Sequence, residues 1–227
     1  MFNMPCLLSY RGWDEILRRE EHNSTGQHKY EIGAYRKVGV IYTLFSEATA
    51  LIEDSHNGHY DPARHLLLQE RAKQARQKYM KWHFGWMDDL SSTVSDFDTI
   101  SVIEECHGNP SKQWAAQWVG MTQSETLMHL RLPVALGCDD TVKLEEQAQA
   151  FAKKLLQHYE RYKDDPTFMK PQVATLMATK IAETADEWFQ FAGEAEEARS
   201  AGQPRLVSDK IWKRWLKMMY IGVQRPN

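Results

Sequence analysis

Apolar residues spaced three and four apart over about six helical turns constrain the fold most. The stripe consists of Tyr30, Ala34, Val38, Ile41, Phe45, Ala48 and Ile52. Side chains at this spacing share one face of an α-helix, whereas a half-buried strand would alternate at every second residue. The segment therefore predicts a long amphipathic helix that must bury one face against other elements.

The same period recurs along most of the chain, and no segment shows strand alternation. Helices are predicted at Tyr10 to Glu21, Asp61-Pro62 to about Leu90, Ser111 to about Leu132, Asp140 to Asp165-Pro166, Pro171 to about Ala192, and Ser208 to about Ile221. The piece at 100–103 fits either a helix or a short extended run. We expect residues 1–227 to form a single all-α globular domain of about seven or eight packed helices.

Two kinds of residue mark the predicted helix starts and the predicted core. Asp61-Pro62 places an N-cap before a proline at the first turn, and Asp140 is predicted to cap the helix that follows it. We expect eight large residues of the apolar stripes to be substantially buried. They are Phe45, Trp82, Phe151, Leu155, Met177, Ile181, Trp188 and Trp215.

The composition limits the possible cellular compartments and binding partners of the protein. The chain has 227 residues, of which 42% are hydrophobic and 26% charged, as in globular proteins with a sizeable core. No apolar run approaches the ~18 residues that span a bilayer, and the start of the chain lacks the pattern of a secretory signal. We therefore expect an intracellular protein of the cytoplasm or nucleus with no membrane association. The net charge of -3 argues against nucleic-acid binding by this chain alone.

Tryptophan pairs suggest where a ligand would bind. Six of the eight tryptophans form pairs that share a helix face, namely Trp82/Trp86, Trp114/Trp118 and Trp212/Trp215. Such pairs are typical of core packing, and they also form aromatic walls around apolar ligands. The best candidate is Tyr79, Trp82, His83 and Trp86, because a titratable imidazole lies among aromatic rings there. We expect these four residues to line a mainly apolar pocket, with His83 as the candidate catalytic group.

Metal sites, cofactors and covalent catalysis find no support in the motifs. His56, His59 and His65 lack the spacing of a zinc site and suggest a solvated turn. One Glu-x-x-His unit, Glu104 to His107, is too few for a di-iron centre. The chain has no glycine-rich phosphate loop or nucleophile elbow, and its three cysteines are far apart. We therefore expect no metal and no cofactor.

The segment from Leu130 to Trp215 carries a resemblance to a known family. Its landmarks are Leu130 to Asp140, the run Thr184-Ala-Asp-Glu-Trp188, and Trp212-Lys-Arg-Trp215. In this order they resemble the C-terminal regulatory region of fungal zinc-cluster (Zn2Cys6) transcription factors, most strongly over 133–215. The resemblance implies an all-helical fold, a fungal origin and a role near secondary metabolism. The six closely spaced cysteines of the family's DNA-binding module are missing here.

The sequence is compatible with two different functions. The chain would be a stand-alone regulatory domain that senses an apolar metabolite or meets a protein partner, including a second copy of itself. Alternatively, it would be a metal- and cofactor-independent cyclase or isomerase of fungal natural-product biosynthesis, since such chemistry needs only a shaped cavity and one or two polar groups. The sequence fits a natural short protein as well as a fragment, and it does not identify the ligand.

Overall fold

The stripe from Tyr30 to Ile52 lies on one long helix in the computed structural model, which describes residues 10–90, 99–107, 113–165 and 172–221. Those ranges contain nine helices and no strand. The helices are α1 (Tyr10–Asn23), α2 (Gly26–His56), α3 (Pro62–Leu90), α4 (Thr99–His107), α5 (Gln113–Ala135), α6 (Thr141–Tyr162), α7 (Gln172–Glu183), α8 (Ala185–Ser200) and α9 (Asp209–Ile221). The predicted all-α, single-domain fold is confirmed, and the open segment at 100–103 is helical.

Helix α5 is the centre of the packing. It contacts α2, α3, α4, α6 and α7, while α1 lies along α2, α8 lies against α6, and α9 packs on α7 and α2. Seven of the eight residues predicted for the core are at most 3% exposed, and Trp82 is only half-buried. Because α5 is enclosed on so many sides, its polar residues are buried with its apolar ones, and this arrangement shapes the candidate site.

The predicted helix starts differ in how they are capped. Asp61 accepts hydrogen bonds from the backbone N–H groups of Ala63 and Arg64 at 3.0 and 3.1 Å, as an N-cap does. Asp140 precedes α6, as predicted, but its side chain makes no capping bond. Glu196 of α8 accepts the bond from the Val142 N–H at 3.0 Å instead. A residue distant in the sequence therefore accepts the hydrogen bond from a free backbone N–H group at the start of α6.

The helix predicted from Pro171 to about Ala192 is divided at Thr184. Its hydroxyl donates to the Lys180 carbonyl at 2.6 Å, a local bond that competes with regular helix geometry. The backbone at Thr184 leaves the helical region, with φ -113° and ψ 18°. Met177, Ile181 and Trp188 are nevertheless all buried. The predicted apolar face is therefore continuous across two helices.

The turn after α5 makes contacts with several other parts of the chain. Pro133 lies inside α5, which continues to Ala135. The carbonyl of Leu136 accepts a bond from the Gln69 amide at 2.6 Å and lies 2.7 Å from His65 Nε2. His65 is fully buried, so the expectation of a solvated turn was wrong for this histidine. Gly137 has φ 59°, and a Cβ there would lie 2.3 Å from the Arg205 carbonyl oxygen, so the turn requires glycine.

Candidate functional site

Helices α3 and α5 bring three parallel rings together in the interior. The Tyr79 ring stacks on His83 with centroids 5.3 Å apart and on His129 of α5 with centroids 4.2 Å apart, each at 17°. The Tyr79 hydroxyl donates to the Thr122 carbonyl at 3.0 Å and lies 2.7 Å from Thr126 Oγ1. Tyr79 and both histidines are at most 2% exposed. These contacts fix the tyrosine firmly between the two helices.

The buried polar side chains at this interface form a group that we call the α3–α5 polar cluster. Its members are Tyr79, His83, Thr122, Glu125, Thr126 and His129. Glu125 belongs to it because its charge contributes to raising the pKa of Tyr79, after the larger effect of burial. The cluster contains donors and acceptors on two facing helices, as a site for an organic ligand requires.

Several polar atoms of the cluster have no hydrogen-bond partner within the described part of the chain. They are both ring nitrogens of His83, both ring nitrogens of His129, and Oε2 of Glu125. Gln123, on the same turn of α5, also leaves its amide oxygen and nitrogen unbonded. An unsatisfied buried polar group costs ~1–3 kcal/mol, and most native structures avoid it. Other buried atoms without a bond lie elsewhere, for example on Arg131 and Glu145, but at this interface two histidines each leave both ring nitrogens unbonded.

Burial sets the protonation states of the cluster. It lowers the pKa of His83 to about 4 and, with smaller contributions from Arg76, Lys37 and His83, that of His129 to about 3. Burial raises the pKa of Glu125 to about 8, although the Lys37 charge opposes this shift. At neutral pH the imidazoles are therefore uncharged and the carboxyl group is protonated. The cluster offers both donors and acceptors without a net charge.

The four site residues predicted from the sequence form one group of neighbouring rings, with centroids 5.9 Å apart for Tyr79 and Trp82, 5.5 Å for Trp82 and Trp86, and 6.4 Å for His83 and Trp86. Their side chains nevertheless pack against two different helices. Tyr79 and His83 face α5, whereas Trp86 stacks on Tyr30 of α2 at 5.4 Å. Trp82 lies against Gly33 of α2, where an added Cβ would come within 2.6 Å of the indole nitrogen. Consecutive residues of a helix point about 100° apart, so Trp82 cannot share the direction of His83. This rotation explains why Trp82 is only partly buried while His83 is fully buried.

The polar residues contributed by α5 were missed in the sequence. Thr122, Thr126 and His129 are spaced four and three apart, so they share a helix face. That spacing was the available signal, but a polar helical face is normally solvated. Only the enclosure of α5 by its neighbours makes this face internal. The side chains that join Tyr79 and His83 are polar, where the sequence predicted a mainly apolar lining.

A second buried charged pair lies on the other side of α5. Arg131 donates to Glu145 of α6 at 2.7 Å, and both side chains are fully buried. The guanidinium carbon of Arg131 lies 4.0 Å from the ring centroid of Trp188 and 5.1 Å from that of Trp215. These cation–π contacts compensate part of the lost hydration.

The indoles of Trp188 and Trp215 also line a surface cleft between α7, α8 and α9. The other residues that line this shallow cleft are Lys180, Thr184, Ile211 and Arg214. The amine of Lys180 reaches Glu183 at 2.9 Å, and Arg214 pairs with Glu187. Both cations at the cleft are therefore already paired with carboxylates.

Comparisons with known proteins assign no family to this arrangement. No family model, curated protein or solved structure matches the chain. The resemblance to the fungal regulatory region thus stays a prediction. Within the described ranges, no group of three His, Cys, Asp or Glu side chains is placed to hold a metal ion. No helix in those ranges is both long and apolar enough to cross a membrane. Trp114 and Trp118 lie on α5, but their side chains are outside the described residues.

Proposed function

We propose that this domain binds a small, uncharged organic molecule at the α3–α5 polar cluster. The observation that carries the proposal is the set of unbonded buried atoms on His83, His129 and Glu125. A ligand whose polar groups bonded these atoms would remove the cost of leaving them unsatisfied. Such residues reduce stability when they serve only the fold, and a binding function accounts for their retention.

The chemistry of the cluster favours a particular class of ligand. Each neutral imidazole has one donor and one acceptor nitrogen, and the protonated carboxyl of Glu125 donates. An anion would find no fixed positive charge among these three groups, and moving a charged ligand into a buried site is costly. A molecule with carbonyl and hydroxyl groups on an apolar skeleton fits better. All cluster side chains are buried, so ligand access requires α3 and α5 to separate locally.

A regulatory function would agree both with this site and with the resemblance found in the sequence. A metabolite-sensing helical domain would couple ligand binding at α3 and α5 to the packing of the remaining helices. Helix α5 is suited to that role because it contacts elements from both halves of the chain, including α2 and α7. We infer a sensor of an uncharged metabolite, acting through a protein partner or a second copy of the chain.

A cofactor-independent isomerase or cyclase is the second candidate, and the opposed pKa shifts favour it. An acid that is protonated at neutral pH and an imidazole that is unprotonated there can donate and accept protons in one reaction. Glu125 would supply a proton to a carbonyl oxygen, and His83 or His129 would remove one from carbon. The same ligand class serves both candidates.

Native mass spectrometry of the purified chain tests the proposal. We expect a small molecule to be retained from the expression host or bound from a metabolite extract, with a mass that disappears in His83→Ala. His65→Ala is the matched control, because His65 is equally buried but lies within bonding distance of Tyr60 and Leu136. It should lower stability without abolishing binding. Equal loss in both variants would contradict the proposal. Consumption of the bound compound, abolished by Glu125→Gln, would favour the enzyme over the sensor.

A further inference from the structure

Helix α1 lies along α2 and buries little of its own surface. Among residues 14–23, whose side chains the structure describes, none is buried, and Ile16 is 53% exposed. The partly buried residues in this range are Asp14, Leu17 and Glu21, which share one helix face because they are three and four positions apart. The face that this part of α1 turns towards α2 is therefore a leucine between two carboxylates.

The matching surface of α2 consists of Gly33 and Arg36, and we call it the Gly33–Arg36 face. Arg36 Nε lies 3.1 Å from Oδ1 of Asp14, and Arg36 Nη1 pairs with Glu21. All three side chains are at most 23% exposed, so water screens these pairs less than it screens a fully exposed pair. A Cβ on Gly33 would lie 3.0 Å from Glu21 Oε1, so the absence of a side chain there lets the carboxylate approach the α2 backbone.

A short connection keeps α1 on this face. Only Ser24 and Thr25 separate the two helices, so the local concentration of α1 at α2 is high and a small buried area is enough to hold it. An isolated helix of this length is marginal in water, and α1 therefore depends on the contact with α2 for its helical structure.

We propose that the Gly33–Arg36 face is a docking surface for an acidic amphipathic helix of a protein partner, and that α1 covers it until the partner displaces α1. The partner helix presents an aliphatic residue between two carboxylates seven positions apart, as Asp14, Leu17 and Glu21 do. Helices that bind in grooves use anchors at this spacing, and the charge of Arg36 selects for the carboxylates. This surface does not depend on a ligand at the α3–α5 polar cluster, so either proposal can fail alone.

Hydrogen exchange of the full chain tests how α1 is held. In Arg36→Gln, the backbone amides of residues 14–23 should exchange about tenfold faster than in wild type, because two bonds between charged groups are lost. Exchange in α5 should not change. Arg71→Gln is the matched control, since Arg71 pairs with Glu47 of α2, and it should leave exchange in α1 unchanged. Unchanged exchange of α1 in Arg36→Gln, or equally faster exchange in α5, would overturn the proposal.

A fluorescent peptide with the sequence of residues 10–23 is the probe for the partner helix. The double variant Asp14→Asn, Glu21→Gln weakens the hold of α1, so it should bind the peptide about tenfold more tightly than wild type in anisotropy titrations. Adding Arg36→Gln to the double variant should abolish this binding, and about 1 M salt should weaken it, because the Debye length is then only ~3 Å. A control peptide with Asn and Gln at the two acidic positions should not bind. Binding that survives Arg36→Gln, or a double variant that binds no better than wild type, would overturn the proposal.

Discussion

At the scale of single residues, the most informative difference is between two buried histidines. His65 and His83 are both fully buried. His65 lies 2.7 Å from the Tyr60 hydroxyl and 2.7 Å from the Leu136 carbonyl oxygen. His83 touches aromatic rings and bonds nothing in the described structure. The sequence identified His83 from its aromatic neighbours, but His129 and Glu125 could not be found in that way, because their burial depends on how α5 is enclosed.

The raised pKa of the Glu125 carboxyl group leads us to predict an unusual dependence of the folding stability on pH. Its pKa is about 8 in the folded protein and near the ordinary value of 4.5 in the unfolded chain. The folded state therefore holds a proton that the unfolded chain releases. This bound proton contributes fully to the stability of the folded state below about pH 4.5, and the contribution is lost as the pH rises through 8. Glu125→Gln should be more stable than wild type by a few kcal/mol near pH 8, at about 1.4 kcal/mol per pKa unit.

Urea unfolding at a series of pH values measures this difference. The advantage of Glu125→Gln should shrink steadily as the pH falls from 8 towards 5. His83 and His129 make the stability depend on pH in the opposite direction. Their pKa values are lowered to about 4 and 3 from 6.5, so their contribution is complete above pH 6.5 and is lost as the pH falls through 4. A difference between Glu125→Gln and wild type that does not vary with pH would show that the carboxyl is not buried as described.

At the scale of elements, the sequence predicted helices well where one face is apolar. The stripe of α2 and the apolar positions of α6 gave helices close to the observed bounds. The division at Thr184 was missed, although Thr184-Ala-Asp-Glu187 has the spacing of a capping box. The apolar period runs through this point, because both helices bury the same face. Periodicity therefore predicted the buried face correctly and could not show the one-residue interruption.

The pair Arg131–Glu145 links α5 and α6 and gives a prediction at the same scale. Arg131→Met should lower the free energy of unfolding by ~3–5 kcal/mol, because it leaves a buried carboxylate without its counterion. The double variant Arg131→Met, Glu145→Met should recover most of this loss, since it leaves neither charge buried. Arg71→Met is the control. Its pair with Glu47 is 41% and 37% exposed, so the loss there should stay below ~1 kcal/mol. A double variant no more stable than the single one would contradict this account.

At the scale of the whole molecule, the core connects α5 with the C-terminal helices. Trp188 is 1% exposed, and its ring meets Trp215 of α9 edge-on at 6.4 Å as well as the Arg131 guanidinium. Trp188→Ala and Phe151→Ala should each cost ~3–5 kcal/mol of stability, as for other large buried aromatics. Leu67→Ala is the matched control, because Leu67 is 60% exposed and should change stability by less than ~0.5 kcal/mol. Losses below ~1 kcal/mol at both core positions, measured by urea unfolding, would show that the core is packed differently.

The central claim is that the α3–α5 polar cluster is kept for a ligand rather than for the fold. The most direct test compares the unfolding free energies of His83→Met and His65→Met, without added ligand, by urea denaturation. Methionine has a similar volume and tolerates aromatic neighbours. His83→Met should be as stable as wild type or more stable by ~1–3 kcal/mol, because two unsatisfied nitrogens are removed, while His65→Met should lose a similar amount. A His83→Met variant that loses as much stability as His65→Met would contradict the claim.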